Sequence, residues 1–148
     1  ESSILWNELN DFIDRKIEPL IELQRYMEAV ELTLHLASSF TEYDIDDSDG
    51  IIMGIYSRCE EIISSAICLC SEKEEEKIFQ AVVYEVENNF DENGYYKGFL
   101  DRLLFNQFKS EKSLKEILKI VNSRIKVYQK IKKTVLANFT LKLFYLQS

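Results

Sequence analysis

The side chains best suited to bind a hard cation lie in an acidic segment, Asp44-Ile-Asp-Asp-Ser-Asp-Gly50. A calcium-binding EF-hand loop needs an oxygen ligand at its first position, Gly at its sixth and Glu at its twelfth. With Gly50 at the sixth position, Ile45 takes the first and Tyr56 the twelfth, and neither side chain fits. We interpret the acids as a solvated loop that favours the positive N-terminus of the following helix. The alternative hypothesis is a metal-dependent hydrolase site at Asp46, Asp47 and Asp49.

The other candidates for chemistry are three cysteines and the single histidine: Cys59, Cys68, Cys70 and His35. Cys68 and Cys70 fall on opposite sides of one predicted helix, whereas structural zinc needs four converging ligands. A nucleophilic Cys or Ser would need a base, and His35 lies in an apolar run that favours a packed or half-exposed side chain. No Gly-rich phosphate loop occurs. We therefore predict no catalytic residue, no metal ligand, no cofactor and no enzymatic activity.

The segment 109–148 is the clearest electrostatic feature of the chain. Residues 1–108 carry a net charge of −16, whereas residues 109–148 carry +8. Lysines recur there among apolar residues at helical spacing: Lys109, Lys112, Lys115, Lys119, Lys126, Lys130, Lys132 and Lys133. Such a helix could contact phosphate backbones or anionic lipid, or it could lie against the acidic body of its own domain or of a partner copy. We favour the intramolecular or protein-partner contact because the acidic body would repel phosphate. The predicted interaction surface consists of Lys126, Lys130, Lys132 and Lys133.

Composition indicates which elements must position these side chains. A chain of 148 residues matches one domain, and four Gly with one Pro are too few for the turns of a β-sandwich or barrel. The sequence therefore predicts a single all-α domain over residues 1–148, with an acidic body (1–108) and a basic C-terminal arm (109–148). Amphipathic, antiparallel helices numbering six to seven would form a bundle or a short solenoid-like array.

Periodic apolar residues and capping signals locate the helices. The first helix follows Ser2 or Ser3, the second begins at Pro19 and continues to Phe40 with a possible break near Tyr26, and the third is capped by Ser48 or Asp49. The fourth covers Glu72 to about Asn88 behind a capping box formed by Ser71 and Glu74. The fifth covers Tyr96–Phe108. The last segment, from Glu111 to Leu146 behind Ser110 or Ser113, forms one helix or two broken near Asn138.

Three short motifs carry a resemblance to a known family: Ile17-Glu-Pro-Leu-Ile21, Asp46-Asp-Ser-Asp-Gly50 and Phe90-Asp-Glu-Asn-Gly-Tyr95. Together they resemble the helical C-terminal region of uncharacterised bacterial proteins that carry a SWIM-type zinc finger upstream. The match covers roughly residues 14–107. The zinc finger is absent here, since Cys68-Leu-Cys70 has no Cys-x-His partner, and no zinc ligand is carried over. The resemblance implies a helical, solenoid-like accessory domain of unknown function.

These observations predict a non-enzymatic scaffold or interaction domain that binds a protein partner or a second copy of itself. The alternative is an accessory domain that contacts nucleic acid through its lysine-rich last helix. An odd number of cysteines does not form a disulfide framework, and no signal peptide or membrane-length apolar run occurs. We therefore expect a cytoplasmic location and no membrane partner.

Overall fold

The computed structural model describes residues 2–42, 50–89 and 94–147, apart from the side chains of Ser2 and Glu42. Within these ranges the chain forms helices and no strand. The elements are α1 (Ser2–Phe12), a π-helical turn (Ile13–Ile17), α2 (Glu18–Glu22), α3 (Tyr26–Ser38), a 3₁₀ turn (Ser39–Glu42), α4 (Ile51–Leu69), α5 (Glu72–Asn88), α6 (Tyr95–Asn106) and α7 (Glu111–Gln147). With the unbroken run from Ser2 to Glu22 counted once, the described ranges hold six helices, which confirms the predicted all-α bundle.

The chain divides into two compact units, Glu1–Lys109 and Ser110–Ser148. The first unit contains α1 to α6 and the second consists of α7. The boundary falls within two residues of the position at which the sequence changes from acidic to basic. A single domain over the whole chain stays a prediction.

The predicted helix start at Pro19 agrees with α2, which begins at Glu18, but α2 follows the preceding helix without a gap. The chain is already helical from Ser2, and Pro19 lies in the first turn of α2, directly after the π-helical turn. In that turn the N–H of Glu18 donates to the carbonyl of Ile13, five residues earlier. Proline has no N–H to donate and its ring crowds the preceding turn, so a locally widened helix accommodates Pro19 without ending.

The predicted break near Tyr26 is confirmed, and it is a Schellman motif without glycine. The N–H of Arg25 donates to the carbonyl of Leu20 at 2.8 Å, and the N–H of Gln24 donates to that of Ile21 at 3.0 Å. Gln24 has φ +60°, in the left-handed region that glycine usually occupies at this position. The helix therefore ends before α3 begins at Tyr26.

The core of the first unit is built from the predicted faces of α4, α5 and α6. Tyr56 stacks on Phe99 with ring centroids 5.2 Å apart, and its hydroxyl donates to the carbonyl of Ala37 at 3.1 Å. Phe108, beyond the end of α6, packs edge to face against Phe79 at 5.0 Å. These contacts join α3 to α4, α4 to α6, and α5 to the end of α6. The predicted apolar residues that are fully buried include Ile52, Ile55, Cys59, Ile63, Ile78, Val82, Leu100, Leu103 and Leu104.

Arg58 of α4 holds the first helical run through polar contacts. Its guanidinium donates to Asn10 at 2.5 Å and to Asp14 at 2.9 Å, and lies 3.6 Å from a carboxylate oxygen of Glu18. A planar guanidinium can serve several acceptors at once, so one side chain joins α4 to α1, the π-helical turn and α2. Arg58 is therefore a structural residue of the first unit.

Candidate interaction surface

The acidic residues of the alternative metal-site hypothesis lie outside the part of the chain that the structure describes. Asp44, Asp46, Asp47 and Asp49 lie outside the described residues, as does Asp91–Asn93. Within the described ranges no group of three or more His, Cys, Asp or Glu side chains could hold a metal ion. Gly50 is described as the residue before α4, with φ +71°, and the predicted caps Ser48 and Asp49 also lie outside the described ranges.

The three cysteines have different environments and all are free thiols. Cys59 is fully buried on the core face of α4, and burial raises the pKa of its thiol to about 12. Cys68 is exposed and Cys70 half-buried at the end of α4, where burial and then the charges of Glu74 and Glu75 raise the pKa of Cys70. The interiors of proteins disfavour a thiolate, so Cys59 is an unreactive core residue.

His35 lies on the exposed side of α3, where its backbone carbonyl accepts a hydrogen bond from the Ser38 hydroxyl. The sequence predicted a packed or half-exposed side chain, and its exposure is greater than that. Cys59 faces the core, so the structure does not bring the imidazole and this thiol onto one surface. Cys59 and His35 therefore do not form a pair of nucleophile and base.

A cavity of about 260 Å³ lies between α5 and α6. The hydroxyl of Tyr96 donates to a carboxylate oxygen of Glu85 at 2.7 Å, and the side-chain amide of Asn89 donates to the same oxygen. Burial, followed by the hydrogen bond to Glu85, raises the pKa of Tyr96. Glu85 therefore serves to join the two helices through neutral donors, which is a structural role.

The second unit presents the largest set of exposed apolar side chains in the described part of the chain. Helix α7 contains 37 residues, which corresponds to a length of about 55 Å. Its first turn is capped by Ser110, whose hydroxyl accepts the N–H of Ser113 at 3.1 Å. The helix continues without a break past Asn138, which settles the open alternative in favour of one helix. Glu111–Lys115 and Glu116–Lys119 ion pairs, both 2.9 Å, lie along its surface.

Ten positions of α7 follow a strict alternation of four-residue and three-residue steps, which is the a and d pattern of a heptad repeat. Eight of the ten are apolar. Seven of these are exposed, from 47% at Ile125 to 82% at Leu146, and Val121 is half-buried. We call this set the heptad stripe: Leu114, Leu118, Val121, Ile125, Tyr128, Lys132, Val135, Phe139, Lys142 and Leu146.

A second set of side chains occupies the side of α7 away from the heptad stripe. Lysine recurs at one heptad position in four successive repeats, and one further lysine lies beside it. All are exposed. We call this set the lysine face: Lys112, Lys119, Lys126, Lys130 and Lys133.

The structure divides the four lysines of the predicted interaction surface. Lys126, Lys130 and Lys133 belong to the lysine face. Lys132 instead occupies the heptad stripe, four residues after Tyr128 and three before Val135. Lys132 and Lys133 are adjacent in the sequence but lie on different sides of α7, because adjacent residues are about 100° apart around a helix.

Sequence reasoning missed the heptad stripe as a surface. A helical period predicts that Phe139 and Leu146 lie in a core or in an interface, because the period alone does not distinguish a buried face from an exposed one. The strict four-and-three spacing over ten positions was the available signal. It differs from the looser spacing of a globular helix and is typical of a helix that pairs with another helix.

None of the helices in the described ranges has the combination of length and apolar character needed to cross a membrane. The resemblance to the helical region of SWIM-type zinc-finger proteins stays a prediction. Comparison with known proteins gives no match to this chain among protein-family models, curated proteins or solved structures.

Proposed function

We propose that this protein is a non-enzymatic helical interaction domain whose protein partner covers the heptad stripe of α7. The observation that carries the proposal is the exposure of seven apolar side chains at a and d positions along one helix. Monomeric proteins rarely expose apolar patches of more than a few hundred Å², and larger patches mark interaction surfaces. Burial of such side chains against a partner is the main favourable term in protein association.

The environments of the reactive side chains support the non-enzymatic part of the proposal. Burial keeps Cys59 protonated, and His35 lies on an exposed side of α3. Glu85 is engaged by Tyr96 and Asn89. A binding role needs none of these groups to change its ionisation. We also propose a cytoplasmic location, which the three free cysteines support, because oxidising compartments favour paired cysteines.

The proposal is tested by capture experiments with two matched triple variants. The stripe variant carries Leu118→Gln, Ile125→Gln and Phe139→Gln, and the lysine variant carries Lys119→Gln, Lys126→Gln and Lys133→Gln. All six side chains are exposed, so neither variant removes packing contacts within one copy of the chain. Each immobilised protein is incubated with cell extract and with a differently tagged copy of the chain, and the retained proteins are quantified by mass spectrometry.

We expect the wild type and the lysine variant to retain the same protein and the stripe variant to lose it. Glutamine removes the apolar contact without adding charge, so the loss reports burial of the stripe. Retention of that protein by the stripe variant, or the absence of any protein retained by the wild type, would contradict the proposal.

A second candidate function is contact with nucleic acid through the lysine face. The observation that favours it is the seven-residue lysine repeat from Lys112 to Lys133, which spans about 32 Å along one side of α7. Cations on one side of a helix can follow a phosphate backbone. The net charge of −16 on residues 1–108 opposes this binding, and the segment 109–148 contains only one Arg, the preferred reader of base edges.

Binding of a labelled duplex, followed by fluorescence anisotropy across salt concentrations, tests the second candidate. If the lysine face binds phosphates, affinity falls steeply as salt rises, and Lys126→Glu with Lys130→Glu and Lys133→Glu abolishes it. Lys132→Glu is the control, because Lys132 lies in the heptad stripe. This substitution should lower the affinity for the duplex less than the triple change does. Absence of binding at low salt eliminates this function.

A further inference from the structure

We propose that the partner of the heptad stripe is α7 of a second copy of this chain, packed antiparallel as a two-stranded coiled coil. This inference rests on the proposed function and specifies its partner. The pairing needs no residue outside the heptad stripe. A helix with a self-complementary seam can pair with its own copy about a two-fold axis.

The first support is the symmetry of the stripe about Lys130. Its steps alternate between four and three residues from Leu114 to Leu146, so they are the same when counted from either end. In an antiparallel pair centred at this residue, each a position of one copy therefore faces a d position of the other. The facing pairs are 114 with 146, 118 with 142, 121 with 139, 125 with 135, and 128 with 132.

The second support is the placement of the two charged residues in the stripe. Antiparallel packing places Lys132 of one copy against the ring of Tyr128 of the other, twice in each dimer. An ammonium group over an aromatic face is attracted by the ring, and the lysine stem packs on apolar surface. Lys142 likewise faces Leu118. A parallel pair would instead place Lys132 against Lys132 and Lys142 against Lys142, and facing like charges disfavour that orientation.

The third support is the small number of charges beside the stripe. The e and g positions that flank the seam carry charge only at Lys115 and Arg124, both in the first half of α7. Antiparallel packing sets that half opposite the second half, whose flanking residues are uncharged: Leu136, Asn138, Leu143 and Tyr145. The lysine face lies outside the seam. The only charges of α7 within the seam are therefore Lys132 and Lys142, which antiparallel packing places against Tyr128 and Leu118.

The fourth support is the available apolar area. Sixteen apolar stripe side chains in the dimer, each covering roughly 60–100 Å², would bury on the order of 1,000–1,600 Å². Stable protein interfaces bury about 1,200–2,000 Å² in total. One helix from each copy is therefore sufficient for a specific dimer.

Molar mass by multi-angle light scattering, measured over a wide concentration range, tests the dimer with the same two triple variants. We expect a dimer for the wild type and the lysine variant. The stripe variant should dissociate with an association constant lowered at least about 100-fold, because three apolar side chains are lost from each copy. A stripe variant that dimerises like the wild type would place the interface elsewhere and overturn the inference.

Cysteine cross-linking tests the orientation in the full chain carrying Cys68→Ser and Cys70→Ser. Ile125→Cys with Val135→Cys should form an intermolecular disulfide rapidly in oxidised glutathione. Within one helix these positions are about 15 Å apart, too far for a disulfide. Ile125→Cys alone and Val135→Cys alone are the controls, since antiparallel packing keeps identical positions apart. Rapid cross-linking of either single variant would show parallel packing and overturn the antiparallel arrangement.

The outcomes separate this inference from the proposed function. A monomeric wild type that still captures another protein through the stripe overturns the second-copy partner and leaves the interaction domain intact. A monomeric wild type that captures no protein contradicts both.

Discussion

Gly54 of α4 lies directly against the ring of Trp6 in α1. A β-carbon at this position would be 2.6 Å and 2.8 Å from two ring atoms of Trp6, far inside normal contact. Alanine has the higher helix propensity, but overpacking of a filled site typically costs about 1–3 kcal/mol. We expect Gly54→Ala to lower the free energy of unfolding by about 1–2 kcal/mol and to shift the emission of Trp6, the single tryptophan of the chain.

Gly98→Ala is the matched control for this prediction. Gly98 lies in α6, and a β-carbon there would be 3.5 Å from an Arg102 nitrogen, an ordinary contact. Only the helix propensity changes at this position. We therefore expect the free energy of unfolding, measured in urea, to rise by about 0.5–1 kcal/mol, with no change in the fluorescence emission of Trp6. Equal effects of the two substitutions would show that Trp6 moves aside freely.

Cys59 gives the protein a predicted loss of stability at alkaline pH. Burial raises the pKa of this thiol from its ordinary value of 9.0 to about 12. Between these values the unfolded chain loses the proton and the folded protein keeps it. The stability contributed by the neutral thiol is therefore complete below pH 9 and decreases by about 1.4 kcal/mol per pH unit above it.

The test compares urea unfolding of the wild type and Cys59→Ala as the pH rises through this window. Alanine leaves a small cavity but has no titrating group, so the difference in stability between the two proteins should shrink steadily above pH 9. Tyr96 is present in both proteins, and burial, followed by its hydrogen bond to Glu85, raises its pKa in each, so it adds a similar pH dependence to both. Parallel pH profiles would contradict the prediction.

At the scale of the helices, the capping box at the start of α5 is the feature that sequence predicted most closely. The Ser71 hydroxyl accepts the N–H of Glu74 at 3.2 Å, and the Ser71 N–H donates to the Glu74 carboxylate at 3.3 Å. The helix runs from Glu72 to Asn88, within the predicted bounds. Such caps can be predicted because the partners are three residues apart in the chain.

We predict that removal of the Ser71 cap destabilises the whole of α5. Ser71→Ala leaves the first-turn N–H groups of α5 without their acceptor. We expect the free energy of unfolding, measured by thermal or urea unfolding, to fall by about 1 kcal/mol. Ser65→Ala is the control, because Ser65 is exposed in the middle of α4 and should change stability little. A comparable loss at Ser65 would mean that the effect at Ser71 is not due to capping.

Two helix boundaries show what local sequence signals do not contain. Pro19 indicates the start of α2, but no local signal indicates the π-helical turn that joins α2 to α1 without a gap. The helix then ends at a left-handed Gln24, where no Gly or Asn is present to indicate the stop. Packing of Ile13 and Ile17, both fully buried, offsets the local cost of these conformations.

At the scale of the whole molecule, charge and structure divide the chain at nearly the same point. All but two of the acidic residues belong to the unit Glu1–Lys109, and the lysines of the arm from Lys112 onward belong to the unit Ser110–Ser148. The first unit has its own aromatic core, whereas the second is one helix with a wide exposed apolar surface. An isolated helix gains little stability from propensity alone, and a second helix against the stripe would supply the missing packing.

The sequence by itself determined the all-α class, the extent of α5, most of the core residues and the basic character of the last segment. These depend on short-range periodicity, capping and charge, which are properties of neighbouring residues. Only the tertiary structure decided that α7 is one helix, that the heptad stripe is exposed along it, and that Cys59 is buried. Exposure depends on which faces distant segments cover, and a periodic pattern does not carry that information.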